Sequence, residues 1–279
     1  MKTLRKIMTC LLIGMASHYV VAQDIPYGSN PEAGHYLNVG DANIYYEVYG
    51  EGQPLVMLHG GVYGYIDEFT PLIVKLADHF QVICIGIRGH GKSEIGNTPY
   101  SYQQRADDAY QVIRAVTQDS VIVIGFSDGG HSALKLAALY PQTVKKVVAM
   151  GIGDKPKDRE ENQFNYTAES LMASDSTFFA GRLKLMPEPE RWNESLSMLS
   201  DMYNNEYMSK ETFEKIQCPV LLMNGDNDGY NTLDAFIQCS KYLSQAQVAV
   251  IPGCHHVIFF CNFPAVWAGL APFLGLQHP

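Results

Sequence analysis

The sequence predicts an α/β protein, a mostly parallel β-sheet flanked by helices and carrying a small helical insertion. Three observations lead there. Short, nearly continuous apolar runs recur along the chain, as strands buried on both faces require. Stretches of helical length separate them, which calls for right-handed crossovers between parallel strands. The rhythm breaks once, between Gly151 and Gln217, where the sequence turns polar and rich in methionine.

Taken in order, residues 1–22 stand apart. Lys2, Arg5 and Lys6 make a basic start, 7–15 is apolar, and Val20-Val21-Ala22 ends on a small residue before Gln23. That order is expected of a secretory signal peptide cleaved after Ala22, with the mature chain, 23–279, periplasmic or secreted. Residues 35–49 alternate in hydropathy and read as an antiparallel pair turning at Gly40-Asp41. The apolar runs are 55–58, 82–85, 121–124, 144–150, 220–223 and 248–251. Helices are expected at about 68–78, 101–117, 129–140, 231–243 and 263–274. The insertion spans about 153–215, with Trp192, Leu196, Leu199 and Tyr203 spaced as one helical stripe. Such long excursions are uncommon without a role, so it is expected to lie over the strand ends.

Composition narrows the function. Of 279 residues, 47% are hydrophobic and 18% charged, enough for a large core and too little charge for a disordered chain. Lys and Arg number 20 against 29 Asp and Glu, a net charge of -9. Without residues 1–22 the balance is 17 against 29, or -12. So acidic a body lacks the basic footprint of a nucleic-acid binder. No internal run reaches the roughly 18 apolar residues of a membrane span. Outside the leader with its Cys10, the cysteines are Cys84, Cys218, Cys239, Cys254 and Cys261. An odd count in a long chain argues for mostly buried thiols and one or two bridges at most. Cys254-His255-His256 with Cys261 lacks paired metal-ligand spacing, and neither a metal nor another cofactor is called for.

Three separated motifs carry the chemistry. Gly125-Phe126-Ser127-Asp128-Gly129 follows a strand and opens a helix. Such a turn pushes a serine hydroxyl out of the sheet toward the positive end of the helix. His59-Gly60-Gly61-Val62 follows another strand, so the amide of Gly61 or Val62, paired with that of Asp128, is a candidate oxyanion hole. His59 is expected to brace this loop. Asp228 and His256 each follow a strand, in the chain order Ser, Asp, His. Ser127 is too weakly acidic to attack alone. His256 would take its proton, and a carboxylate would hold the imidazole tautomer.

On these residues, together with Arg88-Gly89-His90-Gly91-Lys92-Ser93, Gly225-Asp226-Asn227-Asp228 and Pro252-Gly253-Cys254-His255-His256, the sequence resembles the α/β-hydrolase fold family over about 35–276. The resemblance puts the acid on Asp228, with Asp226 in reserve, and the base on His256, with His255 in reserve. It departs at Gly86, where the family often has Asp, and at Asn262-Phe263-Pro264. Ser127-Asp128-Gly129-Gly130 with a short insertion looks like the valacyclovir hydrolase-like amino-acid esterases. That likeness implies that Asp128 holds a substrate ammonium; the alternative reading is that Asp128 serves only the helix start. The function expected is an exported serine hydrolase of small-molecule carboxylic esters, including α-amino acid esters or small amides. The alternatives are a binding protein of this fold with little turnover, or a prolyl aminopeptidase-like or lactonase activity.

Overall fold

The computed structural model describes residues 25–158 and 163–277, so the segment read as a signal peptide lies outside the described residues. The strands are β1 (Gly34–Asn38), β2 (Asn43–Tyr49), β3 (Gln53–Leu58), β4 (Phe80–Ile85), β5 (Val121–Phe126), β6 (Val144–Met150), β7 (Val220–Gly225) and β8 (Ala246–Ile251). They form one sheet in the order β1-β2-β4-β3-β5-β6-β7-β8. The first hairpin is antiparallel and joins β4 antiparallel. Every other pairing is parallel.

The helices are α1 (Thr70–Leu76), α2 (Tyr102–Val116), α3 (Asp128–Leu139), α4 (Ala168–Ser174), α5 (Ser176–Leu183), α6 (Trp192–Asn205), α7 (Lys210–Phe213), α8 (Leu233–Tyr242), α9 (Ile258–Cys261) and α10 (Phe263–Leu274). Because side chains alternate along a strand, Val56 and Leu58 enter one core with α2, α3 and α8. Leu55 and Met57 enter the opposite core with α1, α9 and α10. The apolar runs are continuous because both faces are covered. The run at 248–251 departs from this. β8 is the last strand and pairs with β7 alone, leaving Val248 and Val250 exposed at 42% and 37%.

Between β6 and β7 the chain leaves the sheet. Lys155 and Met208 exchange backbone hydrogen bonds of 3.0 and 2.8 Å, closing a neck. Above it α4, α5 and α6 build a third apolar cluster around Leu171, Phe179, Trp192, Leu196 and Leu199, seated on Tyr100 and Tyr102. Below it α7 returns Phe213 to the core of the sheet. No helix among the described residues is long and apolar enough to cross a membrane.

Candidate active site

Ser127 is the single residue between β5 and α3, held at φ 52° and ψ -113°. A non-glycine residue adopts such a conformation only where its surroundings impose it. The flanking glycines explain how. A Cβ on Gly125 would run into the Gly129 carbonyl, and one on Gly129 into the carbonyl oxygens of Leu58 and His59. The Ser127 amide donates to Met150 O at 2.7 Å, which ties the turn to β6.

The structure brings Ser127, His256 and Asp228 together across the carboxyl ends of β5, β7 and β8. The Ser127 hydroxyl lies 2.8 Å from His256 Nε2. His256 Nδ1 lies 2.7 Å from Asp228 Oδ2. The other carboxylate oxygen, Oδ1, accepts from the amides of Tyr230 and Asn231 at 2.8 and 3.1 Å. Burial alone would raise the Asp228 carboxyl, but the hydrogen bond and charge of His256 and the two amides outweigh it and hold it below the ordinary value. The His256 ring sits between Phe126 and Tyr230, each 4.9 Å away by ring centroids. The reserve residues are elsewhere: His255 Nδ1 meets Asn227 O at 3.0 Å on the surface, and Asp226 is exposed.

A disulfide between Cys254 and Cys261 brackets His256, its Cα atoms 5.7 Å apart. Cys84 and Cys239 are free, buried thiols, and Cys218 is free and partly buried. The odd count left the pairing open because spacing alone does not choose among five cysteines.

The loop after β3 is braced as expected. His59 Nδ1 lies 2.7 Å from Gly60 O, and Nε2 accepts from the Ile87 amide at 2.8 Å. Burial, with His90 and the cation of Arg105 nearby, holds this imidazole neutral, well below its usual range. Glu68 was not foreseen. Its carboxyl oxygen Oε1 accepts from the Gly60 amide at 2.5 Å, which fixes the first amide of the loop. Val62 has a φ of 53°.

Burial pushes the Glu68 carboxyl up to about 8, opposed by the Gly60 amide and reinforced by the charge of Asp67. A carboxyl raised above its unfolded value of 4.5 destabilises the fold as it ionises. Stability should therefore fall as pH climbs from about 4.5 to about 8. Glu68→Gln, neutral throughout, should match wild type near about pH 4 and exceed it near about pH 8. Thermal melts across that window check this, and a difference that does not change with pH would sink it.

Asp128 has two expected roles, holding a substrate ammonium or serving only the helix start. An ammonium-binding carboxylate should open toward the substrate, but Asp128 is 3% exposed. Its Oδ2 accepts from Arg105 Nη1 and from the Tyr203 hydroxyl. Arg105, equally buried, already supplies the balancing positive charge. A second cation there would meet a neutral pair. The Asp128 amide remains available, since the first amides of a helix have no intrahelical acceptor.

A family model described as alpha/beta hydrolase fold matches residues 53–185. The chain is 24% identical over 248 residues to the 2-(acetamidomethylene)succinate hydrolase of Mesorhizobium japonicum, covering 80% of this chain and 88% of that one. It is 26% identical over 259 residues to the pimeloyl-[acyl-carrier protein] methyl ester esterase of Nitrosospira multiformis, covering 79% and 94%. Among solved structures, a serine hydrolase involved in carbazole degradation (CarC) superposes with a TM-score of 0.72 at 20% identity, covering 88% of this chain and 99% of that one. The sheet order, the family match and the superposition together show the α/β-hydrolase fold. The curated relatives named here are hydrolases.

Proposed function

We propose that the chain is a serine hydrolase of carboxylic esters working through an acyl-enzyme on Ser127. The observation that carries the reading is the unbroken line from the Ser127 hydroxyl through His256 to Asp228, at 2.8 and 2.7 Å. In this reading His256 Nε2 takes the hydroxyl proton as Oγ attacks the ester carbonyl. Asp228 stabilises the imidazolium. The oxyanion is received by the Asp128 amide and that of Gly61 or Val62. The imidazolium then protonates the leaving alcohol, and water repeats the sequence to release the acid.

A methyl ester esterase among the relatives supports the ester reading. With the Asp128 charge balanced by Arg105, we expect no marked preference for an α-ammonium on the acyl side. We also propose that the chain is exported and cleaved after Ala22. The basic and apolar order of residues 1–22 supports this, as does the Cys254–Cys261 bridge, since disulfides persist in oxidising compartments.

One experiment addresses these points. Protein recovered from outside the cytoplasm is labelled with a fluorophosphonate and its mass and peptides are read. The adduct is expected on Ser127 and the amino terminus at Gln23. The labelled site should account for turnover of p-nitrophenyl acetate, with alanine and propionate esters used within a few-fold of one another, about 1 kcal/mol. An active protein whose adduct lies elsewhere overturns the nucleophile. No turnover at all leaves the binding-protein alternative.

A further inference from the structure

Three elements meet behind the expected oxyanion hole. Asp128 opens α3, Arg105 comes from α2, and Tyr203 descends from α6 of the insertion. Arg105 Nη1 and the Tyr203 hydroxyl, the latter at 2.9 Å, both donate to the same carboxylate oxygen. Asp128 Oδ1 has no hydrogen-bond partner among the described residues, so these two donors hold the side chain. Gly61 rests on the same knot. A Cβ there would collide with the Tyr203 hydroxyl and lie 2.7 Å from Asp128 Oδ2. A second tie runs parallel: Arg105 lies over the Tyr100 ring at 5.6 Å, and the Tyr100 hydroxyl meets Ser195 of α6 at 2.9 Å.

A buried ion pair is weak evidence for stability, since apolar residues of similar volume often replace one without loss. What such a pair does well is hold one geometry. Here it holds the side chain of the residue whose own amide, in the acyl-enzyme reading, receives the oxyanion.

We propose that Tyr203 and Arg105 are positioning residues for the oxyanion hole, clamping Asp128 so that the insertion sets the aim of its amide. The inference rests on the acyl-enzyme reading above. It makes α6 part of the catalytic geometry as well as a cover over the site. Tyr203 also packs edge-on against Phe164 and Tyr166, so Tyr203→Phe removes the hydroxyl and keeps the ring contacts.

The test compares wild type, Tyr203→Phe and Arg105→Lys, the second variant retaining the buried charge. Steady-state kinetics on a p-nitrophenyl ester are run with thermal melts. Inhibition is measured with a trifluoromethyl ketone, whose serine adduct places an oxyanion in the hole, and with the product acid. In Tyr203→Phe, kcat should fall about tenfold with KM nearly unchanged, short of the roughly 10²–10³ lost when an oxyanion donor is removed outright. Ketone affinity should fall in step while affinity for the product acid holds. Arg105→Lys should show the same pattern. Wild-type kcat and ketone affinity in both variants would overturn the inference, as would losses that track melting temperature alone. Fluorophosphonate labelling separates the two levels. An active wild type not labelled at Ser127 overturns the acyl-enzyme reading, whereas labelled variants with unchanged kcat overturn only the role of Tyr203 and Arg105.

Discussion

Replacing Ser127 by alanine is expected to lower kcat on an activated ester by about 10⁵–10⁶-fold, and His256→Ala by a similar factor. The double variant should be scarcely worse than either single one, because nucleophile and base act as a unit. The geometry makes the histidine comparison sharp. His256 faces Ser127 at 2.8 Å, whereas the neighbouring His255 turns to the Asn227 carbonyl on the surface. His255→Ala should therefore stay within a few-fold of wild type, about 1 kcal/mol. A dead His255→Ala beside an active His256→Ala would show that the base had been placed one residue out.

Arg88→Ala is expected to cost about 3–5 kcal/mol of stability, the penalty for leaving a buried charge without its partner. Arg88 is 3% exposed and meets Asp108 through Nε and Nη2 at 2.6 and 3.1 Å. Its Nη1 reaches Asp41 Oδ1 at 2.6 Å. Removing it strands Asp108, itself buried, under α2. It also removes one of the contacts that hold the Asp41 carboxyl below its ordinary value against the effect of burial, the others being the Asn97 amide and the amide and hydroxyl of Thr98. Asp41 is depressed, so its stabilising share is present above about pH 4 and disappears on acidification. The gap between Arg88→Ala and wild type should therefore narrow at low pH. Urea denaturation at neutral and acid pH checks this, and a loss below about 1 kcal/mol at neutral pH would refute the assignment.

How far the sequence alone reached is clear from individual residues. Strands β3 to β7 were legible because burial on both faces leaves an unbroken apolar run, as in Val121-Ile122-Val123-Ile124. The same reasoning misjudged β8. Val248 and Val250 satisfy the pattern, yet nothing local reveals that a strand is the last one in its sheet. Ser127, Asp228 and His256 were legible because each follows a strand at a fixed short spacing. Arg105, Glu68 and Tyr203 were not, because their partners lie far away in sequence. Traces were present. Arg105 and Asp108 fall on the face of α2 that carries Ala109 and Val112 into the core, and charges on such a face need partners. Tyr203 was already placed on the inward stripe of α6. Periodicity says which way a side chain points but not what it meets, so the two readings of Asp128 stayed open and its pairing with Arg105 was out of reach.

The neck at Lys155 and Met208 bears on how this scaffold can change. The chain departs from the sheet and re-enters it at two hydrogen-bonded neighbours, so the ends of the excursion stay together whatever lies between them. Lengthening, shortening or exchanging that passage moves neither β6 nor β7, which makes it a natural unit for evolutionary or laboratory grafting. The freedom has two conditions, the first being that a replacement again covers Ile95, Tyr100 and Tyr102, which the present helices bury. On the clamp proposed above, it must also bring down a hydroxyl where Tyr203 now sits, and a library of grafts selected for turnover should reveal that demand as the feature its survivors share.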